Sequence, residues 1–314
     1  MNILVTGSSG LLGKSLQKIV SNKTNTNIIF HFLTRNDCDL TDMQAVKKVF
    51  MKIKPYIVIH LASMVGGVYE NISNNYNLFI QNTRINTNIV EACNIFKIKK
   101  LINILSTCIF PDKDVTYPLT DDQIHNGPPH YSNIGYAYSK RILHIGSGLL
   151  PGVVDGTTKV VNIIPTNLYG ENDNYNIKKA HVIPALIHKT YQAKICDTPL
   201  IINGNGNALR QFLYIDDLSN IIYNIAISIN DKSRDLIICP PESSEISIKS
   251  IVNKIVNIFK FDGEIIYDST QPDGQVKKTS QSNEEFINYK FTDIDIGLTK
   301  TIHYFVNNYD TLRV

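Results

Sequence analysis

Tryptophan is absent from the 314 residues, so no indole can stack on a base or a sugar anywhere in the chain. Cysteine is sparse. Cys38, Cys93, Cys108, Cys196 and Cys239 are scattered, odd in number and without Cys-x-x-Cys spacing. This pattern argues against a disulfide framework or a zinc site and reads as reduced thiols in a cytosol-like compartment. Charge of one sign is also lacking: a net charge of +3 with 19% charged residues gives no reason to expect nucleic acid or a membrane surface as partner. No apolar run reaches the ~20 residues of a bilayer-spanning helix. Internal repeats and low-complexity tracts are missing, and no metal site is assigned. Met1-Asn2-Ile3-Leu4-Val5 runs directly into a strand pattern, without the basic region and cleavage site of a signal peptide. The expectation is a cytoplasmic protein.

What is present begins with residues 2–6, a short apolar run ended by Gly7-Ser8-Ser9-Gly10-Leu11-Leu12-Gly13. Leu12, Leu16, Ile19 and Val20 then share a helical face. Strand, glycine turn and helix aim backbone N–H groups at a pyrophosphate. A second strand, 27–33, leads to Arg35, Asp39 and Leu40. At the end of a second strand an arginine suits a ribose 2′-phosphate, which points to NADP(H), with Asp39 and Leu40 flanking the adenine. Asp42 reads as the cap of a helix over 43–53. Further strands are expected at 56–61, 101–105 and 159–164, separated by helical stretches such as 82–96. The fold class is therefore α/β, a doubly wound parallel sheet of Rossmann-like type. Small residues from Ala62 to Gly67 let backbone approach a cofactor closely.

Ser106-Thr107-Cys108 stands at the carboxyl end of the fourth strand, where open α/β sheets bind ligands. In Gly135-Tyr136-Ala137-Tyr138-Ser139-Lys140 the spacing puts Tyr136 and Lys140 on one helix face. An ammonium beside the phenol is expected to lower its pKa and make it a proton donor or acceptor near neutrality. Gly146-Ser147-Gly148 and Pro151-Gly152 are expected to interrupt that helix within about two turns. Beyond Tyr169 the pattern becomes less regular and suggests a smaller C-terminal α/β lobe. There Asp216 reads as a helix cap, its helix running to about Ile229, and Arg210, Lys189 and Lys278 are candidates for a second pyrophosphate.

Together these residues resemble the extended short-chain dehydrogenase/reductases, and within them the GDP-L-fucose synthases. The generic marks are Gly7-x-x-Gly10-x-x-Gly13 and Tyr136-x-x-x-Lys140. The specific ones are Met64-Val65-Gly66-Gly67, Ser106-Thr107-Cys108-Ile109-Phe110-Pro111, Ile124-His125-Asn126-Gly127-Pro128-Pro129, Pro165-Thr166-Asn167, His181-Val182-Ile183-Pro184 and Pro272-Asp273-Gly274. The resemblance implies a GDP-4-keto-6-deoxy-D-mannose substrate, epimerised at C3 and C5 and then reduced at C4 by NADPH. It implies Cys108 and His181 as the acid/base pair, Tyr136 as proton donor, Lys140 on the nicotinamide ribose and Ser106 on the C4 oxygen. It adds Ala62, Pro165, Asn167 and His181 to the cofactor contacts, and Asn167, Lys189, Arg210 and Lys278 to the substrate contacts. A lowered Cys108 pKa is expected from Lys140 or protonated His181. Where the resembled enzymes carry a tryptophan this chain has Asn203. They form a homodimer through the helix that Gly146 to Gly152 are expected to break. The implied division is 1–167 with 199–238 as the nucleotide-binding domain, and 168–198 with 239–314 as the substrate lobe. The rivals are a 4-epimerase or 4,6-dehydratase on another sugar nucleotide, and a non-catalytic NADP-sensing module. A dehydratase would want an Asp-Glu pair where Thr107-Cys108 stands, and a sensor would lack the tyrosine or lysine.

Overall fold

The computed structural model describes residues 1–23, 27–228, 232–271 and 274–312. Strand β1 (Asn2–Thr6), helix α1 (Leu11–Ser21), β2 (Ile29–Phe32), α2 (Met43–Ile53) and β3 (Ile57–His60) open the chain. Helices α3 (Val68–Ser73) and α4 (Asn75–Ile95) precede β4 (Lys100–Ile104), and α5 (Ile134–Gly148) and α6 (Pro151–Val154) precede β5 (Lys159–Pro165). Then come β6 (Asn167–Tyr169), α7 (Val182–Cys196), β7 (Leu200–Asn203), β8 (Leu209–Arg210), β9 (Phe212–Tyr214), α8 (Ile215–Ile227) and β10 (Arg234–Ile238). The chain closes with β11 (Ile246–Ser247), α9 (Ile248–Phe259), β12 (Ile265–Asp268) and α10 (Ile294–Asn308).

Six strands form one parallel sheet in the order β10-β5-β4-β3-β1-β2. The central strands β3 and β4 are buried throughout because both faces are covered. Ile3, Val5, Ile57 and Ile59 pack with Leu12 and Leu16 of α1 and with α8. Leu4, Val58 and Leu101 point the other way, onto α2 and α4. The strand order turns between β1 and β3, so the loops after those strands open a crevice at the carboxyl edge.

Two expectations change. Residues 200–203 do not join this sheet: β7 pairs with β12, and Leu200 and Ile202 pack with α7, α9 and α10 in a separate core. Its partner lies some sixty residues on and is not written locally. Helix α5 includes Gly146 to Gly148 and ends there, about two turns past Lys140, as the glycines lead one to expect. Pro151 starts α6 instead of breaking α5, at the first-turn position that tolerates proline. Asp216 does not cap α8; β9 runs straight into the helix from Tyr214. Asp216 accepts from Ser15 Oγ at 2.7 Å and pairs with Lys18 at 3.1 Å, which ties α8 to α1. Asp42 does cap α2, accepting from the Gln44 amide at 2.8 Å. Pro272, Asp273 and Ile229 lie outside the described residues.

Candidate active site

The crevice begins at the glycine turn. Gly7 has φ +70°, and a Cβ there would stand 2.6 Å from the Ala62 amide nitrogen; one at Gly13 would stand 2.4 Å from Ser8 Cα. Only glycine lets the loops after β1 and β3 close on each other this tightly. Helix α1 starts with no capping side chain and no acid in its first turn, so its first N–H groups point outward unneutralised. Ser8 Oγ beside it is buried without a hydrogen-bond partner among the described residues. An anion-accepting helix start with a waiting hydroxyl fits the pyrophosphate of a dinucleotide. Arg35 is exposed in the turn after β2, and its charge helps lower the Asp39 carboxyl, though less than the Thr41 hydroxyl and amide do.

Behind this turn lies a buried polar chain. Thr6 Oγ1 and Asn86 Oδ1 bracket the His60 ring at 2.9 and 3.0 Å, and Asn86 Nδ2 donates to the Ser139 carbonyl at 3.0 Å. Burial and then the Lys140 charge push His60 down to about 3, so the ring is neutral. The chain fastens β1, β3 and α4 to the turn of α5 that carries Tyr136 and Lys140. Asn82 of α4 holds the next loop, accepting from Ser63 Oγ at 2.9 Å and from the Met64 amide at 2.7 Å. Asn75 Oδ1 accepts from the Gly135 amide at 2.8 Å and sets the start of α5.

Ser63 and Ser106 stand beside the Tyr136 phenol and work to lower it. The phenol is raised, not lowered: desolvation dominates, the Cys108 charge adds to it, and the two serines offset only part. Lys140 shares the face as expected, with Nζ 5.8 Å from the ring centroid. Its ammonium donates to the Ile104 carbonyl at 2.8 Å instead of to the phenol, and burial pulls it down to about 7. The spacing therefore placed the pair correctly while the surroundings reversed the sign of the shift.

Cys108 is partly exposed in the same cleft. Lys278 Nζ donates to its sulfur at 3.2 Å and Asn133 Nδ2 at 3.1 Å. Burial works to raise the thiol, but Lys278, the Ser106 hydrogen bond and Arg210 outweigh it, and the net shift is downward. The cation beside the sulfur is thus Lys278, and neither Lys140 nor His181 is among the groups that lower it. His181 precedes α7 and is exposed, with desolvation first and then the Lys278 charge holding its imidazole low. Its position depends on Gly67, where a Cβ would lie 2.2 Å from the Ala180 carbonyl oxygen, and whose amide donates to Lys179.

The remaining candidates are distributed around this centre. Arg210 donates to the carbonyls of Leu209 and Gln275 at 2.7 and 2.6 Å. Lys189 donates to the Ile201 carbonyl and to Asn203 Oδ1, so it does not join Lys278 beside the sulfur. Asn203 in turn donates to Tyr69 Oη at 2.7 Å, a bridge from β7 to α3. Asn167 follows Pro165 at the end of β5, and its Nδ2 donates to the Gln211 carbonyl at 3.0 Å.

The model of the NAD dependent epimerase/dehydratase family matches residues 3–238. The chain belongs to that family. A GDP-L-fucose synthase from Dictyostelium discoideum is 40% identical over 99% of this chain and 97% of its own length. A probable GDP-L-fucose synthase from Drosophila melanogaster is 35% identical over 99% of both. A crystal structure of a GDP-L-fucose synthetase from Naegleria fowleri bound to NADP superposes with a TM-score of 0.89 at 37% identity, covering 100% of this chain and 95% of that one. No helix among the described residues is long and apolar enough to cross a membrane.

Within this epimerase/dehydratase framework, sequence reasoning missed Ser63, Asn133 and the Asn82 and Asn86 pair. The asparagines carried a signal: on α4 they stand four apart on one face, an unusual place for buried amides unless they hold backbone elsewhere. Ser63 and Asn133 had none, since each acts on a residue remote in the chain.

Proposed function

We propose that this chain is an NADPH-dependent 3,5-epimerase/4-reductase that converts GDP-4-keto-6-deoxy-D-mannose to GDP-L-fucose. One observation carries the reading. A sulfur held by an ammonium sits close enough to the Tyr136 phenol for its charge to act on it, so carbon-acid chemistry and carbonyl protonation share one cleft. The names of the relatives over nearly their full length support the same assignment.

The 4-keto group acidifies its neighbouring C–H bonds, because the electron pair left behind delocalises into an enolate. The Cys108 thiolate takes the proton from one face and His181 returns one to the other. A bound anionic substrate favours the imidazolium by the same Coulomb effect with which Lys278 disfavours it. NADPH, when bound, would supply a hydride for C4. Ser106 orients the C4 oxygen, and Tyr136, kept protonated by its raised pKa, delivers the proton. Lys140 holds the nicotinamide ribose. Lys189 and Arg210 take the pyrophosphate of the sugar nucleotide. A cytoplasmic location and a homodimer belong to the same reading; the apolar side chains that the end of α5 leaves at the surface, Ile145 half-exposed and Leu149 beyond it exposed, support the latter.

Incubation with GDP- and UDP-4-keto-6-deoxy sugars plus NADPH, with identification of the product sugar, tests the assignment. GDP-L-fucose is expected from the GDP substrate, and a product epimerised at neither C3 nor C5 would overturn it. Arg35→Ala is expected to erode the preference for NADPH over NADH by about 10- to 100-fold, the worth of ~1.5–3 kcal/mol for a hydrogen bond to a charged group. Comparison of kcat/KM for the two cofactors checks this, and an unchanged ratio assigns the phosphate to another residue.

A further inference from the structure

Lys278 lies 170 residues after Cys108, on a segment fixed at many points. The Leu119 amide donates to the Thr279 carbonyl, and the Leu209 amide to the Val276 carbonyl. Tyr117 Oη donates to the Lys277 carbonyl at 2.9 Å, and Gln211 grips Ser280 through both its amide atoms. Thr279 Oγ1 is hydrogen-bonded to Glu245. The Lys278 side chain is only 8% exposed, and among the described residues no carboxylate pairs with it. A buried ammonium needs a counter-charge. The sulfur at 3.2 Å is the group placed to supply one.

We infer that Lys278 is a positioning residue for proton abstraction: it holds Cys108 as the thiolate between turnovers, in place of a role on the substrate's pyrophosphate. The inference rests on the epimerase reading above. Epimerisation at two carbons requires the same sulfur to act twice. Each time the thiolate takes a proton from carbon it becomes a neutral thiol, with the electron pair of the broken C–H bond passing to the enolate. The ammonium of Lys278 is then left without its counter-charge, which favours release of the proton to solvent and restores the thiolate for the second carbon. Arg210 reinforces the field, and Asn133 fixes the sulfur's direction without adding charge. The other titratable groups facing the pair are Tyr136, which is protonated, and His181 and His130, both held low in part by Lys278.

The test needs no substrate. The alkylation rate of Cys108 by iodoacetamide is followed against pH in the full-length protein by mass spectrometry of the peptide carrying residue 108. The wild-type midpoint is expected below the ordinary thiol value of about 8.5. Lys278→Met should raise the midpoint and slow alkylation at pH 7 by about tenfold or more, and Lys278→Arg should restore the low midpoint. A wild-type midpoint at or above the ordinary value overturns the inference without any variant. So does a Lys278→Met protein with unchanged titration, the result expected if Lys278 serves only as a phosphate ligand. NADPH affinity monitors folding of both variants. Because the titration is read on the free protein, its outcome is separate from whether the substrate is the one proposed.

Discussion

Tyr136→Phe is expected to abolish NADPH consumption while leaving NADPH affinity unchanged. The phenol is desolvated, so across the working pH range it carries its proton, which is the state reduction of a ketone requires. Ser63 and Ser106 stand beside the hydroxyl. Phenylalanine keeps the ring and removes the donor, at a cost of about 10²- to 10⁴-fold in rate for a lost general acid. The measurement is NADPH oxidation with the 4-keto sugar nucleotide, paired with a binding titration. Retained reduction would refute the role given to Tyr136.

The second large effect concerns carbon and not hydride. Cys108→Ser is expected to block uptake of solvent deuterium at C3 and C5 by about 10²- to 10⁴-fold, with NADPH binding intact. A serine hydroxyl is far too weak an acid to be ionised by one neighbouring ammonium, whereas a thiol near its ordinary value of about 8.5 needs only a modest push. The fold should tolerate the change, because the side chain is partly exposed and its neighbours Lys278 and Asn133 can donate to oxygen as they do to sulfur. Mass spectrometry of sugar recovered from deuterated buffer checks the expectation, and normal exchange would remove Cys108 from the mechanism.

The two effects separate because the residues occupy different parts of one cleft. Tyr136 stands on α5, positioned by the buried chain from Thr6 through His60 and Asn86. Cys108 stands on the turn after β4 and is governed by a segment near the carboxyl end of the chain. A variant that loosens the first should spare deuterium exchange. One that loosens the second should spare hydride transfer to a substrate already epimerised.

Much of this was written in local sequence. Apolar runs bounded by a glycine turn specified the strands, the parallel sheet and the dinucleotide crevice, because periodicity and turn chemistry act over a few residues. The four-residue spacing of Tyr136 and Lys140 put them on one helix face for the same reason. The tertiary structure decided what depends on distant neighbours: the pairing of β7 with β12, the cation beside Cys108 and the direction in which Tyr136 is shifted. Desolvation and Coulomb fields are set by whatever atoms surround a group, and a chain folded into layers draws those atoms from segments that are nowhere adjacent along it.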